Sequence, residues 1–113
     1  LELSGHVDWR LPNLNELRSL VEGCDSTVTG GACGYTDDCL AESCGEACES
    51  CTRYQGPNDQ CYWREGLTGT CGSYWADAAR NVGSAYRIDF STGEIDVKLK
   101  TNVLSVRCVR GSL

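Results

Sequence analysis

The chain has no methionine, one histidine, one phenylalanine and two prolines in 113 residues. Each scarcity narrows the field. The single histidine, His6, stands beside no serine or cysteine in a recognisable nucleophile motif, so an enzyme of that kind is not expected. No apolar run approaches the roughly 20 residues that a membrane-spanning helix needs, so membrane insertion is not expected. Positive charge is also short: 10 Lys and Arg stand against 16 Asp and Glu, for a net charge of -6 and a pI near 4.6. Such a surface repels phosphate backbones, which argues against nucleic acid as a partner. Lys98, Lys100, Arg107 and Arg110 allow only a small basic patch near the C-terminus. Gly30-Gly31 has no following Lys-Ser/Thr, so no phosphate-cradling loop is present. Methionine is missing even at position 1, which leads to the expectation of a mature or excised domain whose targeting segment lies elsewhere.

Cysteine, by contrast, is abundant. Nine cysteines in a chain of this length mark a disulfide scaffold and an oxidising compartment: periplasm, cell surface or medium. Eight of them, Cys24, Cys33, Cys39, Cys44, Cys48, Cys51, Cys61 and Cys71, fall in a glycine-rich stretch, residues 24–71, that shows almost no hydrophobic periodicity. A loop of that length is improbable without support. Covalent cross-links supply it by lowering the entropy of the unfolded chain. The spacing of Cys39, Cys44, Cys48 and Cys51 also permits a zinc site, although it lacks the paired C-x2-C pattern. The ninth, Cys108, stands apart. It is expected to be free or to pair outside this chain, either with a cysteine upstream of Leu1 or with another molecule.

The flanks are regular. Leu14, Leu17, Leu20 and Val21 line one helical face, with Asn13 as N-cap, Glu16 completing a capping box and Gly23 suited to the C-terminal stop, which predicts a helix over 14–22. A short helical turn is compatible with 38–51. Downstream, Tyr86, Ile88 and Phe90 alternate with Arg87 and Asp89. A turn at Ser91-Thr92-Gly93 leads to Ile95, Val97 and Leu99, and a third alternating run covers Leu104, Val106 and Cys108. The pattern predicts a three-stranded antiparallel meander in a single α+β domain spanning 1–113.

Two blocks carry a family resemblance. One is Asp8-Trp9-Arg10-Leu11-Pro12-Asn13 with Glu16-Leu17. The other runs from Tyr74-Trp75 through Ala85-Tyr86-Arg87-Ile88-Asp89-Phe90 and Gly93 to Val106-Arg107-Cys108-Val109-Arg110-Gly111. Together they resemble the C-terminal domain of Legionella collagen-like adhesins, the Lcl C-terminal domain family, and are close to the Fibrobacter major paralogous domains. The resemblance brackets nearly the whole chain and covers 24–71 loosely. It implies a C-type lectin-like fold with one or two helices, an extracellular adhesive role on a bacterial surface, and a partner for Cys108 shortly before Leu3-Ser4-Gly5. Arg-Leu-Pro and Arg-Cys also recur in formylglycine-generating-enzyme-like domains, which leaves a remote oxidoreductase alternative dependent on Cys108. The chain departs from the family at Ala76-Asp77-Ala78, where serines are frequent.

Within this frame the loop region is rich in aromatic residues, Tyr54 among them, and the candidates for contact with a carbohydrate or protein ligand are Tyr62, Trp63, Tyr74 and Trp75, joined by Asp77. Trp63 stands out because it sits in a polar stretch beside Arg64 and Glu65. The alternative for each is packing over the disulfides. Asp37, Asp38 and Glu42 offer hard oxygen donors that could hold calcium, against the plainer reading of solvated charge. Trp9, Arg10, Leu11 and Pro12 read as structural, with Arg10 pairing a carboxylate. The competing functional class is a disulfide-hardened structural module of a surface assembly that associates with its own copies.

Overall fold

The fold begins at a short helix whose start is set by three side chains. In the computed structural model, which describes residues 9–110, Asn13 accepts a hydrogen bond from the Glu16 N–H at 2.8 Å. Glu16 Oε1 in turn accepts from the Asn13 N–H at 2.9 Å, closing the predicted capping box. The Glu16 carboxylate also receives both Arg10 Nη atoms, at 2.7 and 2.8 Å, so Arg10 does pair with a carboxylate. A third group comes from far along the chain: the Asp37 carboxylate accepts the N–H of Leu14 at 3.0 Å and of Asn15 at 2.9 Å. These bonds satisfy donors that a helix start otherwise leaves open.

The helix, α1, covers Leu14–Arg18, shorter than the predicted 14–22. Beyond Arg18 the N–H groups of Leu20 and Val21 bond to carbonyls three residues back. Val21 then forms an antiparallel bridge with Trp63. The apolar spacing at Leu20 and Val21 is therefore real, but it serves this bridge rather than further helical turns. Gly23 has the expected positive φ, 85°.

The sheet is antiparallel, in the order β2-β3-β4, with β2 at Ser73–Asn81, β3 at Ser84–Asp89 and β4 at Glu94–Leu99. The predicted β3–β4 hairpin is present, in the register Tyr86↔Val97 and Ile88↔Ile95. Its turn places Gly93 at φ 76°, and a side chain there would also come within 2.7 Å of Cys24 Cβ. The third strand differs from prediction. It is β2, whose Ser-Tyr-Trp-Ala-Asp-Ala-Ala run lacks strict alternation, and not 104–108. That later segment contributes only a parallel bridge between Ser105 and Tyr74. The two-residue strands β1 (Trp9–Arg10) and β5 (Val109–Arg110) pair antiparallel, which brings the two ends of the described chain together.

One face of the sheet meets α1 in a core that includes Leu14, Leu17, Tyr86, Ile88 and Phe90, all fully buried. The 24–71 stretch is held in three ways, the first within itself and the other two to this core. Four disulfides join Cys24–Cys51, Cys33–Cys48, Cys39–Cys44 and Cys61–Cys71, each worth on the order of 2–4 kcal/mol through the unfolded state. The sulfurs that a zinc site would need are therefore all oxidised. The predicted helical turn is a 3-10 turn at Glu42–Gly45. Backbone bonds supply the second tie: the N–H groups of Cys51, Tyr54 and Tyr62 donate to the carbonyls of Thr92, Ser91 and Phe90, while those of Glu22 and Arg64 donate to the carbonyls of Tyr62 and Leu20.

The third tie is Arg18, which is 3% exposed. Its Nε donates to the Thr27 carbonyl at 2.9 Å, Nη1 to Tyr35 at 2.6 Å and Nη2 to Val28 at 3.0 Å. Longer contacts reach Ser26 and Gly31, both at 3.5 Å. The planar five-donor guanidinium is suited to gathering carbonyls in this way.

The Arg10 contacts and the Asn13 N–H hold the Glu16 carboxyl at about 2, below its ordinary 4.5. A depressed carboxylate contributes stability that is present above its unfolded value and lost as pH falls through its folded one. Acid unfolding between pH 4.5 and 2 should therefore be shallower in Glu16→Gln than in the parent. The site is open to water, so the difference should stay under about 1 kcal/mol. Chemical denaturation across that pH range reads it directly.

Candidate functional site

The face of the sheet opposite α1 is polar. Side chains on a strand alternate between faces, so Ser73 and Trp75 of β2 share this face with Arg87 and Asp89 of β3 and with Glu94 and Asp96 of β4. The register sets them in two rows, Ser73–Asp89–Glu94 and Trp75–Arg87–Asp96. Arg87 is 5% exposed and lies at the centre of the group. Its Nη2 reaches Glu94 at 2.7 Å and Asp96 at 3.7 Å, and its Nη1 reaches Asp89 at 3.3 Å and the Ser73 hydroxyl at 2.8 Å. A buried cation with carboxylate partners holds a surface shape, because removing one partner leaves its mate desolvated.

Two concavities flank this cluster. In the first, β2 carries two extra residues: Trp75 pairs with Arg87 and Ala79 with Ala85, four steps on β2 against two on β3. Bulges of this kind aim side chains away from the ladder and occur next to functional sites. Here the bulge turns the Asp77 N–H outward, toward the Pro12 carbonyl at 2.7 Å. The hollow encloses about 330 Å³ between Leu11, half-buried Trp75, exposed Asp77, Ala79 and Lys100. The second is a groove of about 460 Å³ lined by Arg53, Tyr54, Ser73, Asp89, Leu104 and Ser105, among others.

Of the residues singled out in the sequence, the structure brings Trp75 and Asp77 to one hollow and places the others elsewhere. Trp63, Tyr62 and Tyr74 are 1%, 4% and 4% exposed, so their side chains are core and not a ligand face. Trp63, Tyr74 and Phe90 form a three-ring cluster with centroids 5.4 to 6.2 Å apart. Arg107 lies over both Trp63 and Tyr74, at 5.1 Å from each ring, and donates to the Thr68 carbonyl. Arg64 and Glu65 suggest an exposed Trp63, but the bridge to Val21 turns its ring inward. Arg107 is likewise part of this aromatic stack rather than of a basic patch with Lys98 and exposed Lys100.

The proposed calcium ligands also separate. Asp37 is engaged at the start of α1, Asp38 is exposed, and Glu42 lines a different hollow with Tyr35 and Glu46. Among the described residues no three His, Cys, Asp or Glu side chains gather as a metal would need. Cys108 is half-buried and has no disulfide partner among the described residues. His6 and Asp8 lie outside those residues. The sequence offers Tyr54 among the loop-region aromatics, but not the groove that Arg53 and Tyr54 line. Its one visible signal was Tyr54, an aromatic residue in a polar run.

With this geometry in view, comparison with known families is decisive. The Lcl C-terminal domain family profile matches residues 1–110. The chain belongs to the Lcl C-terminal domain family. Neither the curated proteins nor the solved structures give a match. Membership, four disulfides and the small antiparallel sheet together fit an extracellular module of this family. Four disulfides are the chemistry of an oxidising environment, and no helix among the described residues is long and apolar enough to cross a membrane.

The burial pattern separates the two tryptophans in an experiment. Trp63→Ala should cost about 3–5 kcal/mol, the usual range for emptying a packed aromatic site. Trp75→Ala should cost under about 1.5 kcal/mol, as expected of a partly exposed position. Urea unfolding monitored by circular dichroism compares them.

Proposed function

We propose that this chain is a secreted or surface-attached bacterial recognition module, non-catalytic, that binds an extracellular carbohydrate or protein through the polar face of its sheet. The scaffold is read as C-type lectin-like: joined chain ends, a short sheet and a long cross-linked excursion between them support that reading. The observation that carries the binding proposal is the bulge in β2, which sets Trp75 and Asp77 at the rim of one hollow beside Leu11 and Lys100. A half-buried indole with a carboxylate and an ammonium close by offers an apolar anchor and polar groups that fix orientation, the usual composition of a ligand site. This mode draws on no calcium, since none of Asp37, Asp38 and Glu42 lines the hollow. The negative overall charge directs the module toward neutral or basic surfaces.

One observation favours the alternative of a structural module. Val82 and Val103 are 95% and 98% exposed, and Leu99, next to the β2–β3 turn, is 61% exposed. Val82 and Leu99 leave apolar side chains open at one end of the sheet, which suits contact with another copy, while Val103 lines the groove at Ser73 and Asp89.

The two readings part in a paired measurement. The chain is tested for binding to immobilised extracellular-matrix proteins and a glycan array, and its mass is followed by analytical ultracentrifugation. The recognition reading expects saturable binding, weakened about tenfold or more by Trp75→Ala, unchanged by a chelator, and a monomer at micromolar concentration. Absence of binding, together with self-association that Val82→Ser and Leu99→Ser abolish, would replace it with the structural module.

A further inference from the structure

From the second concavity we infer a site for an uncharged sugar, built by Arg53, Tyr54 and Asp89 and distinct from the hollow at Trp75. The inference rests on the reading of the chain as an extracellular recognition module and adds to the Trp75 hollow a second, independent site with its own ligand class.

Tyr54 has φ 61°, in the left-handed region that a bulky aromatic residue rarely adopts. Two backbone bonds hold the chain there: Tyr54 N–H to the Ser91 carbonyl at 2.8 Å and, three residues earlier, Cys51 N–H to Thr92 at 2.7 Å. The Cys24–Cys51 disulfide anchors the same segment. The result is an aromatic ring left 47% exposed at the edge of a groove, on a backbone fixed by the sheet turn. A strained residue whose surroundings over-determine it is a pointer to function.

Arg53 and Asp89 supply the polar part. Arg53 Nη1 donates to the Ser91 hydroxyl at 2.8 Å. Asp89 Oδ1 accepts from the Ser91 N–H and hydroxyl, at 2.9 and 2.6 Å. Asp89 Oδ2 lies 3.3 Å from Arg87 Nη1 and faces Arg53 Nη2 at 3.9 Å. The latter separation is close enough to attract and too far to hydrogen-bond. A donor and an acceptor thus stand side by side with spare capacity. A hydroxyl, which both gives and takes a hydrogen bond, fits between them. Ser73 and Ser105 line the same groove and offer further hydroxyls.

Charge chooses the ligand class. Asp89 is shared by Arg53 and Arg87, and Glu94 and Asp96 also pair with Arg87, so these two cations face three carboxylates and offer little to a sulfate or carboxylate. The chain's net charge of -6 also opposes polyanions. Paired charges, hydroxyls and an aromatic ring that stays half exposed with Arg53 lying 5.8 Å from its centroid, in a volume of about 460 Å³, match the alternating polar and apolar surface of a neutral pyranose.

The test is titration of the chain with uncharged gluco-, galacto- and manno-configured oligosaccharides, with sulfated oligosaccharides in parallel. Arg53→Met removes the donor. Tyr54→Gly removes the ring while suiting the left-handed backbone. Thermal unfolding confirms that each variant is folded. The expected result is binding of at least one uncharged oligosaccharide, weakened about tenfold or more by either variant, the order expected for a lost charged hydrogen bond, and unaffected by Trp75→Ala. Binding that falls in Trp75→Ala and survives Arg53→Met and Tyr54→Gly overturns the assignment while leaving the recognition reading in place. So does binding confined to sulfated sugars or to protein. No ligand of any kind would overturn both.

Discussion

A buried guanidinium without a carboxylate must be surrounded by acceptors, and in this fold that requirement falls on Arg18. The last residue of α1 points its side chain into the cysteine-rich stretch, where it makes no ion pair among the described residues and is met by backbone carbonyls instead. Burial lowers the proton affinity of the group, yet an arginine stays charged in such settings. The loop has to wrap closely enough for its carbonyls to solvate the cation, or the charge is left bare at a cost of several kcal/mol. The conformation of 26–35 is therefore coupled to the helix by electrostatics as well as by sulfur.

The same device recurs. Arg80 donates to the Leu40 carbonyl and to the hydroxyls of Tyr35 and Tyr86, fixing the 35–40 segment to β2 and β3. Arg107 caps the Trp63–Tyr74 pair and reaches Thr68. In each case a planar cation joins loop backbone to an ordered element. Disulfides limit how far the loop can unfold, whereas these contacts select one folded arrangement. With the interior organised this way, the opposite face of the sheet is free to carry the Arg87 cluster and the two hollows beside it.

Much of this was legible in the sequence. Asn13 and Glu16 announced the helix start, Gly93 announced the hairpin turn, and the clustering of eight cysteines with Cys108 apart matched the pairing observed. What was not legible depended on contacts distant in sequence. The end of α1 is set by the Val21–Trp63 bridge, which no local pattern encodes. β2 lacks clean alternation because it is bulged between Trp75 and Ala79. Asp37 read as a metal ligand because its role, closing the helix N-terminus 22 residues upstream of it, exists only in three dimensions. Trp63 stood as a candidate contact because its neighbours in sequence are polar; of its two readings packing holds, since its neighbours in space are Phe90, Tyr74 and Arg107. The family blocks near the two ends were informative because β1 and β5 pair there, and the groove at Arg53 and Tyr54 was not, because its parts come from four separate segments.

The coupling of loop to helix through Arg18 is tested most directly by native-state hydrogen exchange on the parent and on Arg18→Lys, with all disulfides intact. Lysine keeps the charge but cannot span the same carbonyls. If the carbonyl cage orders the loop, amides bonded within it, such as those of Thr27, Val28, Gly31 and Cys33, lose protection in the variant while the β3–β4 hairpin keeps its own. Equal protection of those amides in both proteins would contradict the account and leave the disulfides as the sole organisers of the loop.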